Sequence, residues 1–417
     1  RVNQFSLTNH FPLCYAISAY RRVHTPTALR AATPTAKRGM TDMNRTCTRC
    51  VMDETDPALT FDENCICSCC QQYEQKRALR GYREGQSEKE LEALVAKIKQ
   101  DNKDKPYDCV LGISGGVDSA FMALTAKHLG LRVLAVHVDT GWNSEIAVRN
   151  IQRLCEKLQM ELHTIVMDWP TMKELQRAYL LSGLANLDVP QDHALVAEVY
   201  RFAKRYGLRY VLNGTNIATE GAWPPFSAQH SCMDSWHLRS VYRRHGRGKS
   251  LQKYPILSLW KARWRYAAIT QVDLLNYVPY SKKDAIESLS REFGWEYYGG
   301  KHFESRFTKW FQSVYLPSRF HYDKRRYHLS CLVMNGEMTR EQALQELACP
   351  PYPTPQMQED EQYILKKLDI TPAQWQAVLQ TPPTPNDAYF SQDFVIHFAQ
   401  RLLGHKGAEA VRSQKSK

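Results

Sequence analysis

The chain has 417 residues and a formal net charge of +12, and 43% of its residues are hydrophobic and 24% charged. This composition is typical of a globular protein with two or three domains and a sizeable core. No stretch approaches the roughly 18 consecutive apolar residues of a transmembrane helix, which excludes an integral membrane protein of the helical type.

Residues 1–45 are predicted to be a leader that does not belong to the folded protein. Residues 1–46 carry seven Lys or Arg and one acid, so half of the net positive charge lies there. The segment is rich in hydroxyl residues and poor in acids, as transit peptides are. Because Met40 and Met43 stand just before the first motif, translated upstream sequence or an unfolded leader is the preferred interpretation.

A zinc ribbon is predicted for residues 46–75, followed by a helical connector over 76–105. Six of the twelve cysteines fall within 24 residues, which favours metal binding in a reducing cytoplasm over disulfides. Two Cys-x2-Cys pairs separated by sixteen residues would give a closed, structural tetrathiolate site. The four ligands are Cys47, Cys50, Cys67 and Cys70. Cys65 and Cys69 leave the register open, and free cysteines or an iron–sulfur cluster are the alternatives.

A glycine turn at residues 114–119 follows a short apolar run and leads into a helix-forming stretch. A strand, glycine turn and helix in this order point backbone N–H groups and a helix N-terminus at one anion. Ser114 and Ser119 add hydroxyl donors, and Asp118 suggests a helix cap or a magnesium-bridged phosphate. The turn lacks the Lys of a Walker A loop, so the sequence predicts a different kind of phosphate site.

Strands and helices alternate over residues 106–220, which predicts an α/β, doubly wound parallel sheet. Strands are expected at 109–113, 132–138, 161–167 and 209–212, and helices at 144–158 and 192–206. Ligands bind beyond the carboxyl ends of strands in such sheets. Three strand ends therefore predict one site, formed by the glycine turn, residues 139–144 and residues 213–216.

The alternation fades after residue 220, where a substrate-binding region over 221–350 and a helical tail over 351–417 are expected. Residues 239–265 carry nine Lys or Arg, no acid and several aromatic residues. This pattern fits nucleic acid, a nucleotide or phosphorylated substrate, or a solvated surface. The dense charged stretches at 301–310 and 323–326 fit a shared binding face or a surface ladder of ion pairs.

The motifs resemble two nested groups of enzymes. The turn at 114–119 resembles the Ser-Gly-Gly-x-Asp-Ser loop of the PP-loop ATP pyrophosphatases, with the adenine nucleotide alpha hydrolase-like fold. From about residue 46 to about 385 the chain resembles the N-acetyl sugar amidotransferases of lipopolysaccharide and surface-glycan biosynthesis, a group within the PP-loop superfamily. The matching segments are residues 47–53, 114–119, 141–144, 190–193, 214–216, 274–280, 302–306 and 322–326. The extra cysteines at 65 and 69 depart from the family's pattern.

The resemblance implies an ATP-dependent ligase that adenylates the acetamido oxygen of a UDP-sugar, such as a 2,3-diacetamido uronate. Ammonia then displaces AMP and gives an acetamidino sugar, in O-antigen biosynthesis. ATP, Mg²⁺ and a structural Zn²⁺ are the implied cofactors. The expected ATP-binding residues are Ser114, Gly115, Gly116, Asp118, Ser119, Asp139, Gly214, Thr215 and Asn216. Asp118, Asp139, His302 and Glu304 are the candidate catalytic residues, and His193, Arg306 and Lys309 the candidate substrate residues.

The sequence contains no recognisable glutaminase nucleophile motif, so the family suggests a separate glutaminase subunit and a cyclase-like partner that conducts ammonia. We expect a cytoplasmic protein that binds neither membrane nor nucleic acid. The main alternative is a PP-loop tRNA-thiolating enzyme, which also combines such a loop with cysteine knuckles. That alternative usually needs a Cys-x2-Cys pair inside the ATP domain, where this chain has the isolated Cys109 and Cys155. A zinc-ribbon binding protein with a degenerate ATP site is the non-enzymatic alternative.

Overall fold

The computed structural model describes residues 45–222, 232–258, 262 and 264–392. Residues 1–44 of the expected leader and residues 393–417 of the expected tail lie outside these ranges.

Five parallel strands form one sheet in the order β3-β2-β1-β4-β5. Their bounds are Cys109–Gly112 (β1), Val133–Asp139 (β2), Glu161–Val166 (β3), Tyr210–Leu212 (β4) and Thr270–Val272 (β5). Chain order and spatial order diverge at β1, because β2 and β4 lie on either side of it. A polar cleft is expected beyond the carboxyl ends of the strands at such a switch point.

Helices cover both faces of this sheet, and the strand residues divide between two cores. Val110, Leu134 and Val211 pack in one core with the helices at 169–182, 189–205 and 235–245. Leu111, Ala135 and Leu212 pack in the other with the helices at 86–101, 117–128, 145–158 and 282–293. Successive strand side chains point to opposite faces, so strands buried on both faces need nearly continuous apolar sequence. The predicted doubly wound sheet is confirmed.

The α-helices are numbered in chain order. Up to β5 they are Ser68–Arg80 (α1), Gln86–Asp101 (α2), Val117–His128 (α3), Glu145–Leu158 (α4), Trp169–Ser182 (α5), Val189–Arg205 (α6), Ile217–Glu220 (α7) and Ser235–His245 (α8). After β5 they are Lys282–Phe293 (α9), Arg306–Trp310 (α10), Leu316–Phe320 (α11), Arg325–Asn335 (α12), Arg340–Ala348 (α13), Thr354–Lys367 (α14) and Pro372–Gln380 (α15). A π-helix, Phe311–Tyr315, joins α10 to α11. None of the helices in the described ranges is long and apolar enough to cross a bilayer.

The mainly helical C-terminal part is also confirmed, but two elements of the fold were not predicted. Helix α5 begins at the Asp168 N-cap and the following Trp169-Pro170, which together are a recognisable helix start. Strand β5 has three residues and lies at the sheet edge, after the point where the alternation fades. A strand this short has no periodicity to detect.

Candidate functional site

The four predicted zinc ligands converge on one point. The Sγ atoms of Cys47, Cys50, Cys67 and Cys70 all lie within 4.8 Å of one another, and all four residues are buried. Backbone N–H groups point at two of the sulfurs: Arg49 and Cys67 lie 3.4 and 3.3 Å from Cys47 Sγ, and Met52 lies 3.5 Å from Cys50 Sγ. Four buried sulfurs with N–H donors fit a tetrahedral Zn²⁺ bound as thiolates.

The structure also resolves the cysteine register. Cys65 is half-buried, has a positive φ of 60°, and accepts a contact from Arg45 Nε at 3.2 Å instead of joining the cluster. Cys69 is buried but lies outside the group of four sulfurs.

The cysteine cluster is fastened to helices α12 and α13. Arg326 pairs with Asp53 at 2.9 Å and donates to the Val51 carbonyl at 2.7 Å. Arg340 Nε donates to the carbonyls of Cys47 and Cys50 at 3.1 and 3.0 Å. The zinc ribbon therefore stabilises α12, the helix that also faces the polar cleft beside Glu304.

The phosphate turn has the geometry that its sequence predicts. Gly115 has a φ of +83°, and a Cβ there would lie 2.8 Å from the Ala147 carbonyl oxygen. The Oγ atoms of Ser114 and Ser119 lie 3.2 Å apart, and helix α3 starts at Gly116 with no side-chain cap. The helix N-terminus, the two hydroxyls and the close backbone packing suit a bound phosphate.

The strand ends meet beside this turn, as predicted. Asn216, after β4, donates from Nδ2 to Asp118 Oδ1 at 3.1 Å and to the Gly214 carbonyl at 3.1 Å. Thr215 does not contact the turn through this network: it is exposed, and its Oγ1 accepts a hydrogen bond from Asn213 Nδ2. After β2, Asp139 Oδ1 accepts from the Gly141 N–H at 2.8 Å and from Asn143 Nδ2 at 3.0 Å.

Asp118 is already engaged by a lysine that the sequence did not assign to the site. Lys301 Nζ lies 3.2 Å from Asp118 Oδ2 and 2.9 Å from both Glu220 Oε1 and Thr219 Oγ1. Burial raises the pKa of Asp118, but the Lys301 ammonium and the Tyr280 hydroxyl outweigh burial and lower the pKa overall. A magnesium ion at Asp118 would therefore require Lys301 to move, whereas the hydrogen bonds that Asp139 accepts from the described residues fall on Oδ1.

The segment that carries His302 and Glu304 lies directly against the phosphate site. The Ser144 N–H donates to the Glu304 carbonyl at 2.8 Å, and the Arg306 N–H donates to the Trp142 carbonyl at 2.8 Å. A Cβ on Gly116 would lie 3.0 Å from Glu304 Oε1 and 3.3 Å from the Tyr298 hydroxyl, which itself accepts from the Val117 N–H. The C-terminal part of the chain thus forms one wall of the nucleotide site.

His302 and Glu304, two of the candidate catalytic residues, lie close together in a turn that precedes α10. His302 Nδ1 lies 3.9 Å from Glu304 Oε1, and His302 has a φ of +64°, which non-glycine residues seldom adopt. Glu304 Oε2 is buried and has no hydrogen-bond partner within the described part of the chain. Backbone strain and an unpaired buried oxygen are features that cluster at functional sites.

Two of the predicted substrate residues have other partners. Arg306 Nε lies 2.5 Å from Asp360 Oδ1, and its guanidinium stacks 3.9 Å over Tyr363. Lys309 Nζ lies 2.8 Å from Asp360 Oδ2. These two ion pairs hold helix α14 against α10, and the buried Asp360 carboxylate neutralises the charge of both cations. Because Asp360 is about 50 residues away in the chain, the local sequence could not show this pairing.

His193, the third of them, is a structural residue in this fold. It is fully buried, its Nδ1 lies 2.9 Å from the Cys232 carbonyl, and its Nε2 accepts from the Leu257 N–H at 2.8 Å. Burial lowers its pKa to about 4. With both ring nitrogens bonded to backbone groups, it has none to offer a sugar, and the predicted substrate contact needs correction.

A polar cleft beside Glu304 contains residues that sequence reasoning missed. Asp188, Asp192 and Lys324 influence one another's ionisation there, and the charge of Lys324 also contributes to lowering the pKa of His328. Burial raises the pKa of Asp188 to about 6, and partial desolvation together with the Asp188 carboxylate also raises the pKa of Asp192, which is an exposed residue. Asp192 and Lys324 stand in the segments 190–193 and 322–326 that carried the family resemblance, which was the available signal.

The raised pKa of Asp188 predicts a pH-dependent stability. Between the unfolded value near 4 and the folded value of about 6, the native state binds more protons than the unfolded state, so stability falls as pH rises. The Asp188→Asn variant should lack this contribution to the pH dependence. Its free energy of unfolding relative to that of the wild type should be up to about 2 kcal/mol higher at pH 7.5 than at pH 4.5. Urea unfolding of the wild type and the variant at the two pH values measures this difference. An equal pH dependence of stability in both proteins would contradict the raised pKa of Asp188.

The fold and site together define a class of protein: an ATP-using domain of the PP-loop, NAD synthase-like kind. Residues 90–206 match the NAD synthase family. Residues 304–403 match the family described as LPS biosynthesis protein WbpG-like, C-terminal domain. The chain therefore combines a segment similar to the NAD synthases, which are PP-loop ATP pyrophosphatases, with a C-terminal segment similar to the WbpG-like proteins of lipopolysaccharide biosynthesis. The predicted resemblance is confirmed at that level.

Two solved structures are similar to parts of the chain. One is the NMN synthetase from Francisella tularensis, at 17% identity and a TM-score of 0.27, covering 50% of this chain and 92% of that one. The other is the NH3-dependent NAD synthetase from Campylobacter jejuni, at 18% identity and a TM-score of 0.28, covering 62% and 95%. Both TM-scores are low, so the fold assignment rests on the sheet topology of this chain. No curated protein matches it significantly.

Proposed function

We propose that the chain is an ATP-dependent amidotransferase that converts an acetamido group of a UDP-N-acetyl sugar into an acetamidino group. The observation that carries the proposal is the seating of the WbpG-like segment on the phosphate turn. Glu304, the first residue of the WbpG-like segment, has Oε1 against Gly116 and a backbone carbonyl that accepts from the Ser144 N–H, so the WbpG-like segment meets the ATP-binding segment at the phosphate turn.

The chemistry requires activation of a poor leaving group. ATP transfers AMP to the acetamido oxygen, and pyrophosphate departs into the donors of residues 114–119, which are positioned before the charge develops. Asp139 would hold Mg²⁺, which neutralises phosphate charge. Asn216 and Gly214 would close the nucleotide pocket from the neighbouring strand. The four-cysteine cluster would hold a structural Zn²⁺ away from the reaction.

Ammonia is the proposed second substrate. We propose that a separate glutaminase generates it and that a cyclase-like partner conducts it to this chain. The sugar would bind in the cleft formed by residues 188–192, 302–304 and 324–328, on the open side of the phosphate turn.

A pyrophosphate-release assay tests this function. With ATP, ammonium chloride and a UDP-2,3-diacetamido uronate, we expect sugar-dependent release, and we expect no release with bulk tRNA in place of the sugar. Glutamine in place of ammonium should support little amidine formation by the isolated chain. Release that depends on tRNA would favour the thiolating alternative, for which Cys109 and Cys155 are poorly placed because both are buried in a core of the sheet.

A further inference from the structure

His328 is the least satisfied polar side chain in the cleft. It lies on α12, and both of its ring nitrogens are buried without a hydrogen-bond partner among the described residues. A buried donor or acceptor without a partner costs about 1–3 kcal/mol, so native proteins rarely leave both nitrogens of a histidine unpaired unless a ligand completes them.

The position of the ring places it next to the reacting groups. Its centroid lies 5.4 Å from that of His302, whose Nδ1 is 3.9 Å from Glu304, and Glu304 lies over Gly116 of the phosphate turn. A sugar amide held beside the turn would therefore lie between the turn and His328.

The surroundings keep this imidazole unprotonated. Burial, and then the positive charges of Lys301, His302 and Lys324, lower the pKa of His328 well below its ordinary value. A ring that is neutral at pH 7 has a nitrogen lone pair available, and its lowered pKa makes it a weak base that holds a proton only briefly, as a relay between two nitrogens requires. His193, by comparison, has both nitrogens bonded to the backbone.

We infer that His328 transfers the proton in the ammonia-dependent step, an inference that rests on the proposed function and names a catalytic group for it. Ammonia uses its lone pair to form the N–C bond to the imidate carbon, whose oxygen carries AMP; the C=N electron pair moves to the sugar nitrogen, and the new nitrogen becomes positively charged. The free ring nitrogen of His328 takes one proton from it and returns that proton to the sugar nitrogen. The C–O bond then breaks, AMP leaves with the electron pair, and the amidinium product remains.

Step-resolved kinetics of His328→Gln test this role. Exchange of labelled pyrophosphate into ATP, measured with sugar and without ammonia, reports the first step and should stay within about threefold of wild type. Amidine formation with ammonia should fall by about 10²–10³-fold, the usual contribution of a positioned acid or base. Hydroxylamine in place of ammonia should be affected far less, because its adduct is more acidic and loses its proton without a strong base.

Two further variants distinguish a catalytic role of His328 from a structural one. His328→Asn should show the same selective loss as His328→Gln, which rules out a packing defect of one side chain as the cause. His128→Gln, at the exposed far end of α3, should match wild type in all three assays. An equal loss in exchange, ammonia and hydroxylamine assays would make His328 structural and overturn the inference. Unchanged ammonia-dependent turnover would overturn it as well, with the proposed function intact. Absence of sugar-dependent exchange in the wild type would instead overturn the proposed function and this inference together.

Discussion

Gly115→Ala is expected to abolish most pyrophosphate release while leaving a folded protein. Two effects add at this position. The residue has a φ of +83°, which costs an L-residue roughly 1–2 kcal/mol, and its Cβ would lie 2.8 Å from the backbone oxygen of Ala147. Because α4 cannot yield easily, the turn must move, and a displacement near 1 Å costs about 10²-fold in rate when positioning supplies the catalysis.

Gly85→Ala is the matched control for this substitution. Gly85 has a similar φ of +72° at the start of α2, and a Cβ added there would have no atom within 4 Å. It should lose comparable stability and retain pyrophosphate release. Steady-state release rates and urea unfolding of both variants separate the two effects, and a Gly115→Ala enzyme with near-normal rates would remove the turn from the reaction.

Cys50→Ser is expected to eliminate bound zinc and to destabilise the protein strongly. A structural zinc site contributes folding energy directly, on the order of 10 kcal/mol in small domains. The loss should spread to α12 through Arg326 and Arg340, which bind backbone carbonyls and Asp53 of the ribbon. Since α12 carries His328, ammonia-dependent activity should fall together with zinc content.

Cys65→Ser tests the ligand register within the same ribbon. Cys65 lies outside the cluster of four sulfurs, so this variant should retain about one zinc ion per chain and most of its thermal stability. Metal analysis and thermal unfolding of the two variants give the comparison. Loss of zinc from Cys65→Ser, or its retention in Cys50→Ser, would contradict the site.

Features encoded by neighbouring residues were predictable, and those formed by distant residues were not. The phosphate turn and the Cys-x2-Cys pairs are local patterns with a local physical cause, and the alternating strands and helices determine the sheet that aligns three strand ends. The Lys301–Asp118 contact joins residues 183 positions apart, and charge alone did not distinguish it from a surface ion pair. Residue type misled at Arg306 and Lys309, because a binding cation and a cation paired with Asp360 look alike in sequence.

Isotope labelling of the acetamido oxygen shows whether AMP is attached to that oxygen during the reaction. The proposed reaction cleaves the bond between the acetamido carbon and that oxygen only after AMP is attached to it. A UDP-sugar whose acetamido oxygen carries a heavy isotope should therefore give AMP that contains the label, in amounts equal to the acetamidino product, as measured by mass spectrometry. Unlabelled AMP, or an acetamidino product formed without labelled AMP, would contradict adenylation of the acetamido oxygen.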